Sequence, residues 1–438
     1  MFKQLISDSA IYGVGAILIK SIAFFTLPIY TSIFSPEEFG IIEMFSTVGG
    51  FLTIFMTMGL DSAQSYYYMD AKNNETYDKK AIITSILQLR IVLGILILGV
   101  VVSLSPFIID FAFKSSLPIS YLIMVSTSIF FSNLISQSLE VFRLLYKPWQ
   151  FIGLSFMQTV FNIGLILYFS YYKDMGIEGY FIGNLLGMTV VMLIGWIATK
   201  NYRYWDRLEV KLWKGFLKFG LPLVPAGLMI WVMLFSDRWF IQNFLGSYEL
   251  GLYAVSAKFA IFIAIAVEVF RKAFFPIAMD MIHKPEGKIF FEKITTFYIV
   301  IGSIGVLIIT YISPYLIEYL LNESYLESWK SVGLLSLASL AYGFRMISNR
   351  GILYVKKTHL LIYIYTIGAS LNIVLNMYMV PKFGVEGAAM ATAISFIVIN
   401  IINLIISNIY YRVKQNLLVT IPTIVFTFLF ILNYINFI

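Results

Sequence analysis

The chain has 438 residues, of which 59% are hydrophobic and only 13% are charged, whereas soluble domains carry about 25% charged residues. Its mean hydropathy is +0.84. The apolar residues fall in blocks of about 20, the length that crosses a hydrocarbon core of about 30 Å. These values exclude an ordinary water-soluble fold, and the absence of cysteine excludes disulfides and thiolate metal sites.

Hydropathy predicts thirteen membrane spans joined by short connections. In chain order they cover residues 9–33, 40–60, 81–104, 117–140, 149–172, 177–199, 215–241, 248–272, 292–313, 329–350, 358–380, 385–408 and 416–437. The first apolar block is longer than a signal-peptide core and no small-residue cleavage site follows it, so we expect a retained span. The predicted fold class is an all-α polytopic membrane protein.

Lysine and arginine set the orientation of the predicted spans. With a cytoplasmic N-terminus, 22 of the 31 basic residues fall on the cytoplasmic side and only 4 on the opposite side. A basic collar beside anionic lipid also explains the net charge of +7. The charge therefore predicts contact with membrane lipids, and no nucleic-acid partner is expected.

Three short segments recur at a nearly constant spacing, which indicates an internal duplication. At offsets of 208, 208 and 211, the pairs are residues 176–179 (GIEG) with 384–387 (GVEG), 145–147 (LYK) with 353–356 (LYVK), and 35–40 (SPEEFG) with 247–251 (SYELG). Because six spans separate equivalent points, both halves keep one orientation, and a site is expected between them near mid-depth. The predicted domains are six-helix bundles at residues 1–200 and 201–410, and an additional helix at residues 411–438 that either spans the membrane or lies on it.

Four cations within the predicted spans suggest a basic cavity, because a charge in hydrocarbon is costly unless it faces water or a partner. They are Lys20, Arg90, Lys258 and Arg345. Lys20 and Lys258 lie near span centres, where exposure to a cavity is expected. For Arg90 and Arg345, which lie nearer the cytoplasmic ends, snorkelling toward the interface is the alternative.

Eight further polar residues are candidates to support the cavity or to carry a coupling ion. Asn133, Gln137 and Glu140 are spaced to share one face of the fourth span. Asp237 and Arg238 are expected to form a local, structural ion pair at an interface. For the amides, ordinary hydrogen bonding between helices is the alternative, and for the carboxylates it is interfacial solvation. The remaining candidates are Asp61, Glu268 and Asn372.

Short motifs stand in the first, second, seventh and eighth spans. They are Tyr12-Gly13, Lys20, Phe24-Phe25, Pro28-Ile29-Tyr30, Phe39-Gly40, Gly59-Leu60, Ser236-Asp237-Arg238, Leu245-Gly246, Leu250-Gly251-Leu252-Tyr253 and Ala257-Lys258. With the length, topology and duplication of nearly the whole chain, these motifs resemble the Wzx-type polysaccharide flippases of the multidrug/oligosaccharidyl-lipid/polysaccharide exporter superfamily. The resemblance implies a V-shaped pair of six-helix bundles around a basic cavity.

The resemblance also implies a function. A monomer in a bacterial inner membrane would translocate an undecaprenyl-diphosphate-linked oligosaccharide, such as an O-antigen or capsule repeat unit, by alternating access. The diphosphate would meet Lys20, Arg90, Lys258 or Arg345, because a desolvated diphosphate needs cationic partners. A polysaccharide polymerase and a chain-length regulator are the implied partners.

The energy source is constrained by the lack of a Gly-x-x-x-x-Gly-Lys-Ser/Thr segment, which leaves the chain without a P-loop of its own. Transport is therefore expected to be driven by an H⁺ or Na⁺ gradient or by the membrane potential, and downstream consumption of the flipped lipid is the alternative. No other cofactor, no metal site and no catalytic residue are expected.

Three alternatives stay open at this point. A multidrug or small-cation antiporter of the same fold would present uncompensated acids at mid-depth, whereas the central charges here are basic. A peptidoglycan-precursor flippase would share the fold but is expected to carry one span more. An enzyme would need a substantial loop or an acid/base cluster, and the longest outer loop has about 15 residues, so enzymatic function is not expected.

Overall fold

The computed structural model describes residues 24–74, 77–113 and 117–437, together with residues 15, 21 and 22. These residues are overwhelmingly helical and contain no β-strand. Their α-helices are α1 (Leu27–Ile33), α2 (Pro36–Thr57), α3 (Leu60–Asn74), α4 (Lys79–Phe113), α5 (Ile119–Leu144), α6 (Pro148–Leu167), α7 (Gly176–Ala198), α8 (Trp213–Gly220), α9 (Val224–Phe244), α10 (Ser247–Met281), α11 (Gly287–Leu320), α12 (Trp329–Ser348), α13 (Arg350–Tyr354), α14 (His359–Tyr410) and α15 (Leu417–Phe437). A π-helical turn, Tyr168–Tyr172, extends α6.

Eleven helical segments of the described residues are long and apolar enough to cross a membrane. One of them, α14, has 52 residues and departs from helical geometry at Gly384, so it supplies the two predicted spans at residues 358–380 and 385–408. The described residues thus contain twelve of the thirteen predicted spans, and the first lies partly outside them. The predicted all-α polytopic fold is confirmed.

The chain divides into two compact units. The first unit comprises Met1–Phe34 and Met44–Leu228, and the second comprises Ser35–Glu43 and Met229–Ile438. The predicted boundaries at residues 200 and 410 rest on the repeat rather than on packing, and they stay predictions.

The segment between α7 and α8 is fastened to α4, which explains why it belongs to the first unit. The Tyr204 amide donates to the hydroxyl of Thr84 over 2.8 Å, and the side-chain amide of Gln88 donates to the Arg207 carbonyl over 2.7 Å. These bonds join the polar connection to a membrane-spanning helix.

The same segment carries an arginine stacked between two tryptophans. The Arg203 guanidinium lies 4.5 Å from the ring centre of Trp196 and 4.3 Å from that of Trp205. Burial lowers the pKa of Arg203 to about 10, so the side chain stays cationic at neutral pH. Tryptophan and arginine are typical of membrane interfaces, and this stack is consistent with an interfacial position for the segment.

The first turns of α2 and α10 cross in backbone contact. A β-carbon on Gly40 would lie 1.8 Å from the Ser247 carbonyl oxygen, and one on Gly251 would lie 1.9 Å from the Pro36 carbonyl oxygen. The two contacts are reciprocal, and both pairs of equivalent residues are 211 positions apart, the offset seen in the sequence. Reciprocal contacts are what a two-fold axis produces, so this crossing supports the duplication.

Two helix ends, those of α5 and α13, also share one backbone geometry. Tyr146 and Lys356 both adopt left-handed conformations, with φ of 55° and 57°. The amides of the next residues, Lys147 and Lys357, donate to carbonyls five positions earlier over 2.9 and 3.1 Å, as in a Schellman end. Equivalent residues here are 210 positions apart. For this pair of segments the structure therefore corrects the offset of 208 that the match between residues 145–147 (LYK) and 353–356 (LYVK) indicated.

The packing of α7 against α6 depends on three glycines spaced four residues apart. A β-carbon at Gly179, Gly183 or Gly187 would lie 2.6 to 2.8 Å from backbone atoms of α6 or its π-helical extension. Small residues at this spacing let helices approach closely in a membrane, where no hydrophobic force drives helices together. The sixth predicted span is therefore held by backbone proximity.

We expect Gly183→Leu to destabilise the first unit by about 1–3 kcal/mol, because the new side chain cannot fit against the backbone of α6. Gly164→Leu on α6 is the matched control, since a β-carbon there would meet nothing within 4 Å. Thermal unfolding of both variants in detergent measures the difference. Equal melting temperatures for the two variants would contradict this packing.

Candidate functional site

Arg345 of α12 lies between two tyrosines. Its guanidinium is 4.2 Å from the ring centre of Tyr342 and 5.3 Å from that of Tyr365 in α14. Among the described residues the side chain forms no salt bridge, and it is half-buried. A guanidinium held between aromatic faces, with its donors unused, is suited to bind an anion.

Lys258 lies where α10 changes from a buried to a partly open helix. Residues 250–256 are all buried, whereas Lys258, Phe262, Ala266 and Val269 are exposed. These four positions are three or four residues apart and share one helical face. A cation on an open face of a span needs water or a polar partner rather than lipid tails.

The surroundings of Lys258 include one carboxylate. Its ammonium acts electrostatically on Glu43 of α2, but within the described residues it forms no salt bridge. Lys258 therefore keeps its hydrogen-bonding capacity for another group.

The two candidate cations, Lys258 and Arg345, lie at different levels along α10 in the second unit. A β-carbon on Gly343 would lie 2.2 Å from the side chain of Val267, which puts nearby Arg345 close to the level of Val267 in α10. Lys258 comes nine residues before Val267, about 14 Å along the helix axis at 1.5 Å per residue.

Arg90 of α4 is enclosed in the first unit, with 1% of the residue exposed. Its Nη2 forms a salt bridge with Asp61 of α3, and its Nη1 donates to Asn133 Oδ1 over 2.9 Å. The Asn133 amide in turn donates to Thr57 over 2.9 Å. This geometry does not support the prediction that Arg90 meets the cargo or snorkels, because its charge is already compensated and buried.

The two other polar residues predicted on the face of Asn133 are also buried in α5. Glu140 accepts hydrogen bonds from Ser65 and from Arg143, each over 2.7 Å. Within the described part of the chain the amide of Gln137 has no hydrogen-bond partner, nor has that of Gln64 in α3. Buried, unpaired amides of this kind are common positions for internal water.

A buried polar network joins α2, α9 and α10 in the second unit. Arg238 donates from Nε to Glu43 and from Nη1 to Asp237, both over 2.9 Å. The Tyr253 hydroxyl donates to the other oxygen of Asp237. The predicted Asp237–Arg238 pair is present, but it is buried rather than interfacial, because Glu43 and Tyr253 complete its coordination.

The network extends into α14 through hydroxyl and amide groups. Thr392 donates to Tyr253, and Asn372 Nδ2 donates to Thr392 over 3.4 Å. Ser236 donates to Asn372 Oδ1 over 3.0 Å, and so does Asn376 over 3.1 Å. Asn372 is thus a hydrogen-bonding link between helices, which is the alternative that the sequence left open.

Sequence reasoning missed Glu43, Tyr253 and Thr392. Glu43 carried a usable signal, since it is a carboxylate near the start of an apolar span. Its partner Arg238 lies 195 residues away in the chain, and hydropathy contains no information on such pairing.

A further candidate, Glu268, contributes little to a site. Glu268 forms a two-point salt bridge with Arg271 on the same helix, with contacts of 2.8 and 2.6 Å, near the protein surface. Lys20 lies outside the described residues. Within those residues no three His, Asp or Glu side chains are grouped to hold a metal ion.

The sequence model of one protein family, described as polysaccharide biosynthesis protein, matches residues 5–282 of the chain. The chain belongs to this family. Protein 1 of the Lsg locus of Haemophilus influenzae is 24% identical to this chain over 282 residues, which cover 62% of this chain and 65% of the relative. An uncharacterized membrane protein of Methanocaldococcus jannaschii is 26% identical over 107 residues, 24% of this chain and 21% of the relative. Less than two thirds of either relative is matched.

Solved structures share the fold of this chain. The lipid II flippase MurJ in an inward closed conformation is similar with a TM-score of 0.71 and 16% identity, over 96% of this chain and 92% of that one. An inward-facing multidrug resistance transporter of the MATE family and the MOP superfamily is similar with a TM-score of 0.68 and 16% identity, over 89% and 93%. The predicted resemblance is confirmed for the family and the exporter fold, and the chain is a multi-pass membrane protein. The V-shaped cavity stays a prediction.

We expect Arg238→Gln to cost about 3–5 kcal/mol of stability, because it leaves two buried carboxylates without a bonded cation. Arg271→Gln is the matched control, since its pair with Glu268 is partly exposed and such pairs contribute about 0–1 kcal/mol. Thermal unfolding in detergent compares the variants. A loss for Arg238→Gln no larger than for the control would show that the network does not hold these helices.

Proposed function

We propose that this protein is a Wzx-type flippase that moves undecaprenyl-diphosphate-linked oligosaccharide units from the cytoplasmic to the outer leaflet of a bacterial inner membrane by alternating access. The family match and the exporter fold support this proposal. The observation that carries it is a contrast among in-span cations. Arg90 and Arg238 pair with carboxylates, whereas Lys258 and Arg345 form no salt bridge with any described residue.

These two cations, which form no salt bridge with a described residue, suit a phosphorylated headgroup. In our proposal both line the cavity wall, with the diphosphate bound at Arg345 on the cytoplasmic side and then at Lys258 nearer mid-depth. Tyr342 and Tyr365 hold the Arg345 guanidinium between their rings. Because diphosphate binding needs cations that are not already neutralised, a small-cation antiporter fits these residues less well.

We further propose Asp61 as the carrier of the coupling ion, H⁺ or Na⁺. Its side chain is 43% exposed, while that of its partner Arg90 is fully enclosed. Ion binding at Asp61 would weaken the Arg90 pair and so alter contacts between α3 and α4. The same proposal includes a cytoplasmic N-terminus and an O-antigen or capsule cargo. It also includes a polysaccharide polymerase and a chain-length regulator as partners.

We expect Lys258→Ala and Arg345→Gln each to reduce flipping at least about tenfold, because a hydrogen bond to a charged group contributes about 1.5–3 kcal/mol and about 1.4 kcal/mol is a factor of ten. Lys20→Ala should have the same effect. Proteoliposomes loaded with an undecaprenyl-diphosphate oligosaccharide measure the rate, and Lys382→Ala, which removes an exposed lysine, is the control.

Normal flux in Lys258→Ala and Arg345→Gln, with intact expression, would remove the basic-cavity mechanism. A parallel measurement with a peptidoglycan lipid precursor distinguishes an oligosaccharide-lipid flippase from a peptidoglycan-precursor flippase. Faster transport of that precursor than of the oligosaccharide lipid would reassign the substrate.

Asp61→Asn tests the coupling. We expect this variant to flip the oligosaccharide lipid at a rate that no longer responds to an imposed proton or sodium gradient, because the amide cannot exchange a proton and binds Na⁺ weakly. Glu268→Gln is the control, because Glu268 pairs with the partly exposed Arg271 of its own helix and not with a residue of another helix. An unchanged gradient response in Asp61→Asn would exclude this carboxylate as the coupling group.

A further inference from the structure

A groove opens in the second unit between α15 and the second half of α14. It encloses about 1280 Å³, more than the range of about 300–1,000 Å³ of ordinary small-molecule pockets. Neither Lys258 nor Arg345 lines it, so it is separate from the residues proposed for the cargo. Its walls are mainly aliphatic, with Ile299, Leu337, Ile401, Leu404 and Ile424 among them.

The packing of α15 explains why the groove exists. This helix contacts α11 and α12, and the apolar side chains of Ile401 and Ile405 on α14 stay 51% and 61% exposed. Apolar spaces of this kind do not hold water well. In a bilayer, hydrocarbon chains are therefore the natural contents of the groove.

One end of the groove is basic. Lys288 comes from the first turn of α11, and Arg412 and Lys414 come from the connection between α14 and α15. All three side chains are exposed, and none forms a salt bridge with a described residue. Glu292 is the one carboxylate among the lining residues, so positive charge dominates this end.

A buried cation lies directly behind the basic end. Arg350 is 2% exposed, and its Nη2 donates over 3.0 Å to Asn408 Oδ1, on a residue that lines the groove. Within the described residues Arg350 has no carboxylate partner, and its Nε has no hydrogen-bond partner. A buried charge without a counter-charge is costly, and an anion at the groove end would compensate it.

We propose that this groove binds an anionic phospholipid of the surrounding bilayer, with its phosphate at Lys288, Arg412 and Lys414 and its acyl chains along α14 and α15. Charge complementarity favours this occupant over a zwitterionic lipid. The predicted topology puts the basic end on the cytoplasmic side, where anionic phospholipids attract basic residues. The thirteenth span thereby acts as one wall of a lipid site.

Native mass spectrometry of the full chain in detergent tests the proposal, with phosphatidylglycerol, phosphatidylcholine and inorganic phosphate as separate probes. We expect one phosphatidylglycerol to bind at least about tenfold more tightly than phosphatidylcholine, and inorganic phosphate not to displace it. The variant Lys288→Gln/Arg412→Gln/Lys414→Gln should lose that preference. The variant Lys79→Gln/Lys211→Gln/Lys214→Gln removes three exposed charges outside the groove and should keep it.

A second pair of variants tests the apolar part of the groove. Ile401→Trp fills it and should weaken the binding of phosphatidylglycerol and phosphatidylcholine alike, phosphatidylglycerol at least about tenfold, whereas the triple Lys/Arg variant should weaken phosphatidylglycerol alone. Val374→Trp, at an exposed position of the same helix outside the groove lining, should bind as the unchanged protein does. If the triple Lys/Arg variant fails to fold, the Ile401→Trp and Val374→Trp pair still decides the question.

Equal affinity for the two phospholipids, equal losses in the two charge variants, or unchanged binding by Ile401→Trp would each overturn the proposal. Displacement of phosphatidylglycerol by undecaprenyl phosphate at equal concentration would also overturn it, because the groove would then belong to the cargo lipid. Binding is scored without transport, so failure here leaves the flippase proposal to its own assay.

Discussion

Hydrocarbon does not solvate charge, and the arrangements of Arg90, Arg238, Lys258 and Arg345 each reflect that constraint. Arg238 donates hydrogen bonds to two carboxylates and to a backbone carbonyl. Arg90 donates to Asp61 and Asn133. Arg238 thereby links α9 with α2, and Arg90 links α3, α4 and α5. Lys258 lies instead on an open helical face, and Arg345 lies between aromatic rings. This difference distinguishes the candidate binding cations from the structural ones.

The general architecture was accessible from the sequence because it depends on one-dimensional patterns. Span length, basic residues at one side and the offset of 211 between Gly40 and Gly251 all follow from counting. The structure adds a physical contact at this offset, since the two glycines meet the backbone of each other's helix. The letter match around Tyr146 was less accurate, because backbone geometry pairs it with Lys356 and not with Tyr354.

The candidate site was less predictable because it depends on pairing in three dimensions. Arg90 and Arg345 have similar sequence surroundings, each an arginine within an apolar span. Only the fold reveals that Asp61 reaches Arg90, while tyrosines surround Arg345. The role of Glu43 was hidden for the same reason, since its partner is in another part of the chain. Hydropathy identifies a costly charge, but it does not identify what compensates the cost.

The reciprocal crossing of α2 and α10 has an evolutionary consequence. Each of these two first turns, here called an arm, supplies a glycine and also the carbonyl group that lies against the glycine of the other arm. The contact surface is therefore self-complementary. A half-length ancestor carrying one arm would already have presented everything needed to associate with a second copy of itself. Gene fusion could then have preserved the homodimer contact inside a single polypeptide, after which the two arms were free to acquire different neighbours.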